Sequence, residues 1–236
     1  MDATWTTVHV LALQLDPAWR RLADDVRRQD AEAFLAAATA AAQRVRTYTY
    51  SMIGLQADAD LLWWRLAPSV EVAEETAASL LRAGLGRFLR VTHAMVGLVR
   101  PSVYVKQPTV QEQAMFVGTR NRYLIVYPFV KTTSWYLTPQ DERQRMMNEH
   151  IRVGHRFPMV RQLLAYSFGL DDQEFIVAYE TDDLQAFQDL VQALRATEAR
   201  RYTVRDTPLL LGVHRPLSEI VALLGAPLEA AVPRPG

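Results

Sequence analysis

The hydrophobic positions of this chain fall into runs of different period, and the changes of period mark its elements. Residues 4–15, TWTTVHVLALQL, are β-branched and apolar and predict a strand. From Asp16 to about Arg46, alanine, leucine, glutamate and glutamine dominate, as in AEAFLAAATAAAQRV, and predict a helix. TYTYSMIGL (47–55) and DLLWWRLAP (60–68) predict two strands around the turn-like QADA. Residues 69–86 predict a second helix, with Ser69 as N-cap and Glu71 in the first turn, where a carboxylate suits the helix dipole. RFLRVTHAMVGL (87–98) predicts another strand.

The second half repeats this order. YLIVYPFVK (123–131) predicts a strand, and TPQDERQRMMNEHIRVG (138–154) a helix with Thr138 as N-cap and Pro139 at its first position. VRQLLAYSFG (160–169) and EFIVAYET (174–181) flank the turn LDD as a hairpin, residues 182–201 predict a helix, and TPLLLGV (207–213) a closing strand. LLRAGLGR (80–87) and ALRATEAR (193–200) share Leu81/Leu194, Arg82/Arg195, Ala83/Ala196 and Arg87/Arg200 at a constant offset of 113. Order and residues together predict an α+β fold of two ferredoxin-like βαββαβ repeats packed through their sheets as a dimeric α+β barrel. The expected division is 1–115 and 116–236, with an irregular connection over 99–121 of the length that often carries function.

Composition narrows the chemistry. Twenty-six Lys and Arg balance 26 Asp and Glu, so nothing supports nucleic-acid or polyanion binding, which needs a basic surplus. No cysteine occurs in the 236 residues, which excludes disulfides, iron–sulfur clusters, thiolate zinc sites and cysteine nucleophiles. The start, MDATWTTVHVLALQLD, lacks the basic region of a signal peptide, and no apolar run approaches the roughly 20 residues of a membrane span. A cytoplasmic, soluble protein is the expectation.

Two constellations carry candidate chemistry. His150 and His155 lie five residues apart, about 140° around a helix, so their rings leave on different faces and a two-histidine metal site is disfavoured. His150 shares a face with Arg143, Met146 and Met147 and reads either as a buried core histidine or as a ligand; His155, after Gly154, reads as an exposed helix-end residue. On the strand 123–131, alternation places Tyr123, Ile125, Tyr127, Phe129 and Lys131 on one face. Tyr127 and Lys131 then stand roughly 13 Å apart, which suits a flat apolar ligand with an acidic edge; an aromatic packing face ending in a solvated lysine is the plainer alternative. His9, His93 and His214 lie on predicted strands or their ends and suit structural roles.

YPFVK (127–131), WYL (135–137), ERQRM (142–146), His150 and GLDDQEF (169–175) together resemble the chlorite dismutase superfamily, and most nearly its actinobacterial-type coproheme decarboxylases. The likeness covers about 90 residues of the C-terminal half; the N-terminal half matches in element order and in YVK at 104–106. The resemblance implies haem, with His150 as the iron ligand and Glu198 as an acidic partner on its other ring nitrogen. It implies Tyr127 as the residue oxidised near a reacting propionate, Lys131 as the group binding a propionate carboxylate, and Trp135 and Met147 near the iron-ligand side. Gln162, seven residues before Gly169, takes the place where chlorite-degrading members carry an arginine. Glutamine lacks the fixed charge that would hold hypochlorite, which favours decarboxylation. Arg161 is its neighbour, and only one of the two can face the pocket. No histidine occurs in 107–126, where some relatives carry one; Arg120 and Arg122 there either meet propionates or solvate a loop.

The implied reaction is oxidative decarboxylation of coproheme III, substrate and cofactor at once, to haem b with hydrogen peroxide, in a homo-oligomer, commonly a homopentamer. The competing expectations are a chlorite-degrading haem enzyme, a haem-binding protein without turnover, and an interaction module without haem.

Overall fold

The computed structural model describes residues 6–100, 102–104, 115 and 119–228. The expected connection at 99–121, with the YVK at 104–106, lies mostly outside them. Two units form, one of Asp2–Met95 with Gly212–Gly236 and one of Val96–Leu211. Both are α+β and both run β-α-β-β-α-β, the class expected from sequence.

In the first unit, β1 (Thr7–Leu15) pairs antiparallel with β3 (Leu61–Ala67), which also pairs with β2 (Arg46–Ser51). The helices are α1 (Asp24–Ala41) and α2 (Val70–Arg82), and β4 (Leu89–Leu98) follows. The single helix expected from Asp16 is broken. Asp16 accepts a bond from the Ala18 amide at 2.8 Å, Pro17 opens a 3-10 turn over Pro17–Arg21, and α1 begins afresh at Asp24. Ser69 caps α2 as expected, its hydroxyl accepting from the Val72 amide at 3.3 Å. Gly84, just past α2, has φ +44, and a Cβ there would lie 2.0 Å from the Asp30 carbonyl oxygen, so only glycine passes. The core is dense: Phe34 stacks on Trp63 at 6.0 Å, beside Trp19, Leu11, Leu13 and Leu80.

The second unit holds β5 (Tyr123–Lys131), α3 (Thr133–Leu137), α4 (Gln140–Gly154), β6 (Arg161–Tyr166), β7 (Phe175–Thr181), α5 (Leu184–Arg195), a 3-10 turn over Glu198–Tyr202 and β8 (Thr203–Arg205). Strand β7 is central, antiparallel to β5 on one side and β6 on the other. Thr138 does not cap α4 as expected. It ends α3, donating its hydroxyl to the Ser134 carbonyl at 2.7 Å, because a residue before proline is steered out of the helical region. The helix expected over 182–201 stops at Arg195, as α2 stops at its repeat mate Arg82, and each is followed by a 3-10 turn. After the second unit come β9 (Leu210–His214) and α6 (Leu217–Leu223), the latter unforeseen; β9 pairs with β2 at Tyr50↔His214. No helix among the described residues is long and apolar enough to cross a membrane.

One polar cluster is sealed into the first unit. Arg65 is fully buried and donates to His9 Nδ1 at 3.0 Å, to the Ala73 carbonyl at 2.9 Å and to the Thr76 hydroxyl. His9 must accept, so it is neutral, and burial followed by the Arg65 charge pulls it down to about 4. Its folded value lies below its unfolded one, so the associated stability is whole above pH 6.5 and is lost as pH falls through about 4. The unfolding free energy from urea denaturation should drop between about pH 7 and 4.5, by about 2–3 kcal/mol more in the native chain than in His9→Gln. Equal slopes would show that His9 does not carry the acid sensitivity.

Candidate functional site

The register of the second sheet sorts its polar residues onto two faces. Ile125, Tyr179 and Gln162 form one cross-strand row, Tyr127, Val177 and Leu164 the next, and Phe129, Phe175 and Tyr166 a third. All nine point to the face that packs on Phe187 and Leu190 of α5. Glu180 and Arg161 pair with each other in register and take the opposite face. Of the two neighbours left open by sequence, Gln162 therefore shares the face of Tyr127, while Arg161 donates to the Thr119 carbonyl at 2.8 Å. Arg120 is also spoken for: buried, it lies 3.5 Å from the Glu180 carboxylate and donates to the Met115 carbonyl. Arg122 is exposed beside Tyr123. Among the described residues the Gln162 amide makes no hydrogen bond.

Comparing the two repeats shows where space is left. Thr7 and Tyr123 open the equivalent first strands and Asp24 and Gln140 the equivalent helices, each 116 residues apart. The pairs His9↔Arg65 and Leu11↔Trp63 then correspond to Ile125↔Tyr179 and Tyr127↔Val177. The same spacing sets Phe34 against His150. In the first unit a tryptophan–phenylalanine stack plugs the space between sheet and helices. The second unit has a valine and an imidazole at those places. Its cluster there has six buried residues against seventeen in the first unit's, with Tyr127, Phe129, Leu164 and Phe157 only partly covered. The less tightly covered apolar region over this face, with the Tyr127 phenol on it, forms the candidate slot.

His150 lies on α4, with Nδ1 3.3 Å from the Thr197 hydroxyl. That hydroxyl gives its proton to the Leu194 carbonyl at 2.7 Å, so it accepts from His150 and fixes the Nδ1–H tautomer. The Nε2 lone pair is left free. Burial, with the Lys131 charge second, pulls the imidazole down to about 4, so it is neutral at ordinary pH. No group of three or more His, Asp or Glu among the described residues could hold a metal ion. A lone neutral imidazole beside an apolar slot fits a metal that brings its other ligands with it, which an iron porphyrin does. His155 caps the C-terminus of α4 and is exposed, as its spacing from His150 implied.

The position expected for Glu198 is taken by Thr197. Glu198 instead accepts from Arg145 at 2.8 Å and faces an open polar cleft with Arg152 and Arg201. The sequence signal was one residue out because the chain leaves α5 and enters a 3-10 turn there. Lys131 follows a register irregularity at Val130/Lys131. Its ammonium lies 4.6 Å from the Trp135 ring centre and donates to the Ala199 carbonyl at 3.0 Å; burial, then Arg200, pulls it down to about 8. Trp135 is buried with Met146 and Ala199, and Met147 packs on this cluster from its rim. Glu174 ties the site together, accepting from the Lys131 amide at 2.7 Å and the Tyr136 hydroxyl at 2.5 Å. Burial, with the adjacent Tyr179 next, pushes the Tyr127 phenol well above its ordinary value. Thr197, Glu174 and Tyr179 were not singled out from sequence; Glu174 had a signal as the glutamate of GLDDQEF, and Tyr179 as the residue of EFIVAYET that shares a face with Phe175 and Val177.

A family model described as chlorite dismutase matches residues 27–215. A coproheme decarboxylase of Mycolicibacterium smegmatis is 36% identical over 177 residues, 74% of this chain and 75% of that protein. Among solved structures, a mutant chlorite dismutase from Candidatus Nitrospira defluvii superposes with a TM-score of 0.85 at 27% identity, covering 92% of this chain and 94% of that one. A structure of chlorite dismutase from the same organism in complex with imidazole gives 0.83 at 26% identity, covering 92% and 94%.

Thr197→Val should leave His150 Nδ1 without its acceptor. Proton–nitrogen correlation spectra of the ring should then change from one tautomer to a mixture. An unchanged pattern would remove Thr197 from the site.

Proposed function

The chain belongs to the chlorite dismutase family, and on that premise we propose that it is a coproheme decarboxylase, converting coproheme III to haem b with hydrogen peroxide. The observation that carries the reading is the make-up of the slot face of the sheet: a half-buried phenol, Tyr127, a glutamine, and no arginine in its three cross-strand rows, Arg161 being turned to the other side and Arg120 lying against Glu180 there. Chlorite chemistry would call for a fixed positive charge on the slot face. A propionate side chain needs a one-electron oxidant in apolar surroundings and a cation for its carboxylate, and Tyr127 and Lys131 supply those groups.

In this reading His150 Nε2 holds the iron, and Thr197 keeps that nitrogen free by fixing the tautomer. Bound there, the iron porphyrin supplies the redox chemistry with peroxide. Each of the two reacting propionates would lose a hydrogen atom from its β-carbon to oxidised Tyr127, then a second electron to the iron porphyrin as carbon dioxide leaves, a two-electron oxidation that leaves a vinyl group and consumes one peroxide. Tyr127, once oxidised, takes the hydrogen atom and becomes a phenol again. Lys131, largely protonated at neutral pH even when pulled down to about 8, exchanges the Ala199 carbonyl for the propionate carboxylate. Trp135 beneath it and Glu174 on its amide hold it in place. Met147 and Gln162 complete the walls. The family likeness supports a cytoplasmic homo-oligomer, a homopentamer in this reading.

The fold likeness to chlorite dismutases favours the second reading, a chlorite-degrading enzyme. Oxygen release from chlorite by the haem-loaded protein would establish it.

Tyr127→Phe should abolish loss of carboxyl groups, followed by mass spectrometry after peroxide is added, and leave coproheme bound. Normal turnover by that variant would exclude Tyr127 as the oxidised residue. Thr197→Val should weaken coproheme binding or turnover about 10–100-fold, and His150→Ala should remove the iron-ligand signature from the Soret band. A Soret band indifferent to His150 would refute the ligand assignment.

A further inference from the structure

Tyr179 has no part in the chemistry above, yet its ring lies against that of Tyr127. The ring centres are 6.1 Å apart with planes 29° from parallel, and Tyr179 is 6% exposed on the central strand. It stands in register between Ile125 and Gln162, one row from Tyr127, and Phe187 of α5 closes its other side at 5.4 Å. An aromatic chain of this kind is more than packing because both members are oxidisable phenols.

From this geometry we infer that Tyr179 is a second seat for the oxidising equivalent, exchanging it with Tyr127. Burial raises both phenols, so both stay protonated and neutral. A bare electron hop would leave a charged radical in apolar surroundings, which is costly. Transfer of a hydrogen atom avoids that cost. The O–H bond of Tyr179 breaks, that of Tyr127 forms, and the unpaired electron moves from one phenoxyl oxygen to the other. No charge changes, no external base is used and nothing is oxidised on balance. Tyr179, deeper under α5, holds the equivalent while no propionate is in reach and returns it through Tyr127. The first unit has Arg65 at the matching position, so the pair belongs to the open slot alone.

The inference rests on the decarboxylase reading, and the test separates them. 3-Aminotyrosine, almost the same size and more easily oxidised, is placed at position 179 of the full chain, which is loaded with coproheme and treated with hydrogen peroxide. An aminotyrosyl radical should appear in electron paramagnetic resonance, and carboxyl loss should slow by roughly tenfold or more. The same residue at position 50, a fully buried tyrosine of the first unit, should do neither. The inference is overturned if position 179 gives no aminotyrosyl signal and native conversion while position 127 traps the radical. Native conversion by Tyr127→Phe would instead overturn the decarboxylase reading, and the tyrosine pair with it. Equal coproheme binding by all variants excludes a folding defect as the cause.

Discussion

The pairing register of β7 between β5 and β6 is the constraint on which the site depends. It is held along its length by the antiparallel ladders from Tyr123↔Thr181 to Phe129↔Phe175 and from Arg161↔Glu180 to Tyr166↔Phe175. Side chains alternate with period two, so a slip of one residue would exchange the faces. Glu180 would then enter the slot and Tyr179 would leave it. Burial makes such a slip prohibitive: Leu124, Val126, Ile176 and Ala178 are fully covered on the far side, and a buried ion pair stands among them.

Duplication supplies the contrast that gives the slot its meaning. Both repeats place a helix over a sheet with the same cross-strand pairs, and their side chains diverge at the same positions. Leu11, Trp63 and Phe34 fill one half; Tyr127, Val177 and His150 stand in the other. Side-chain size alone, before any chemistry, sets the second half apart, since Val177 and His150 are smaller than Trp63 and Phe34. The polar groups around it are then oriented by neighbours outside it, the Thr197 hydroxyl for His150 and the Ala199 carbonyl for the Lys131 ammonium.

Much of this was legible in the residues. Period-two alternation set Tyr127 with Ile125 and Phe129 on one face and parted Arg161 from Gln162, and five-residue spacing parted His150 from His155, because these depend only on local backbone geometry. The offset of 113 lay on two helices that do end alike, at Arg82 and Arg195. What stayed hidden depends on where chain ends meet in space. The hydroxyl that bonds His150 lies 47 residues away, on a turn whose phase no periodicity predicts, so the residues pointed to Glu198 and not to its neighbour Thr197. Thr138 and Pro139 read as a helix start, though the threonine closes the short α3, whose five residues are too few to show a period. The break at Pro17 vanished in an alanine-rich run for the same reason.

The contrast between the two slots also bears on how the chain is held together. The first unit's core is made wholly of its own side chains. In the second, smaller side chains stand where Trp63 and Phe34 stand in the first, and residues such as Phe129 and Leu164 keep part of their surface in reach of water. A flat apolar molecule entering there removes that surface from water much as a side chain would, and binding free energy becomes folding free energy. On the decarboxylase reading the guest would be, in effect, the last core residue of its host, and losing carboxylates in place would bring its polarity closer to that of the core it completes.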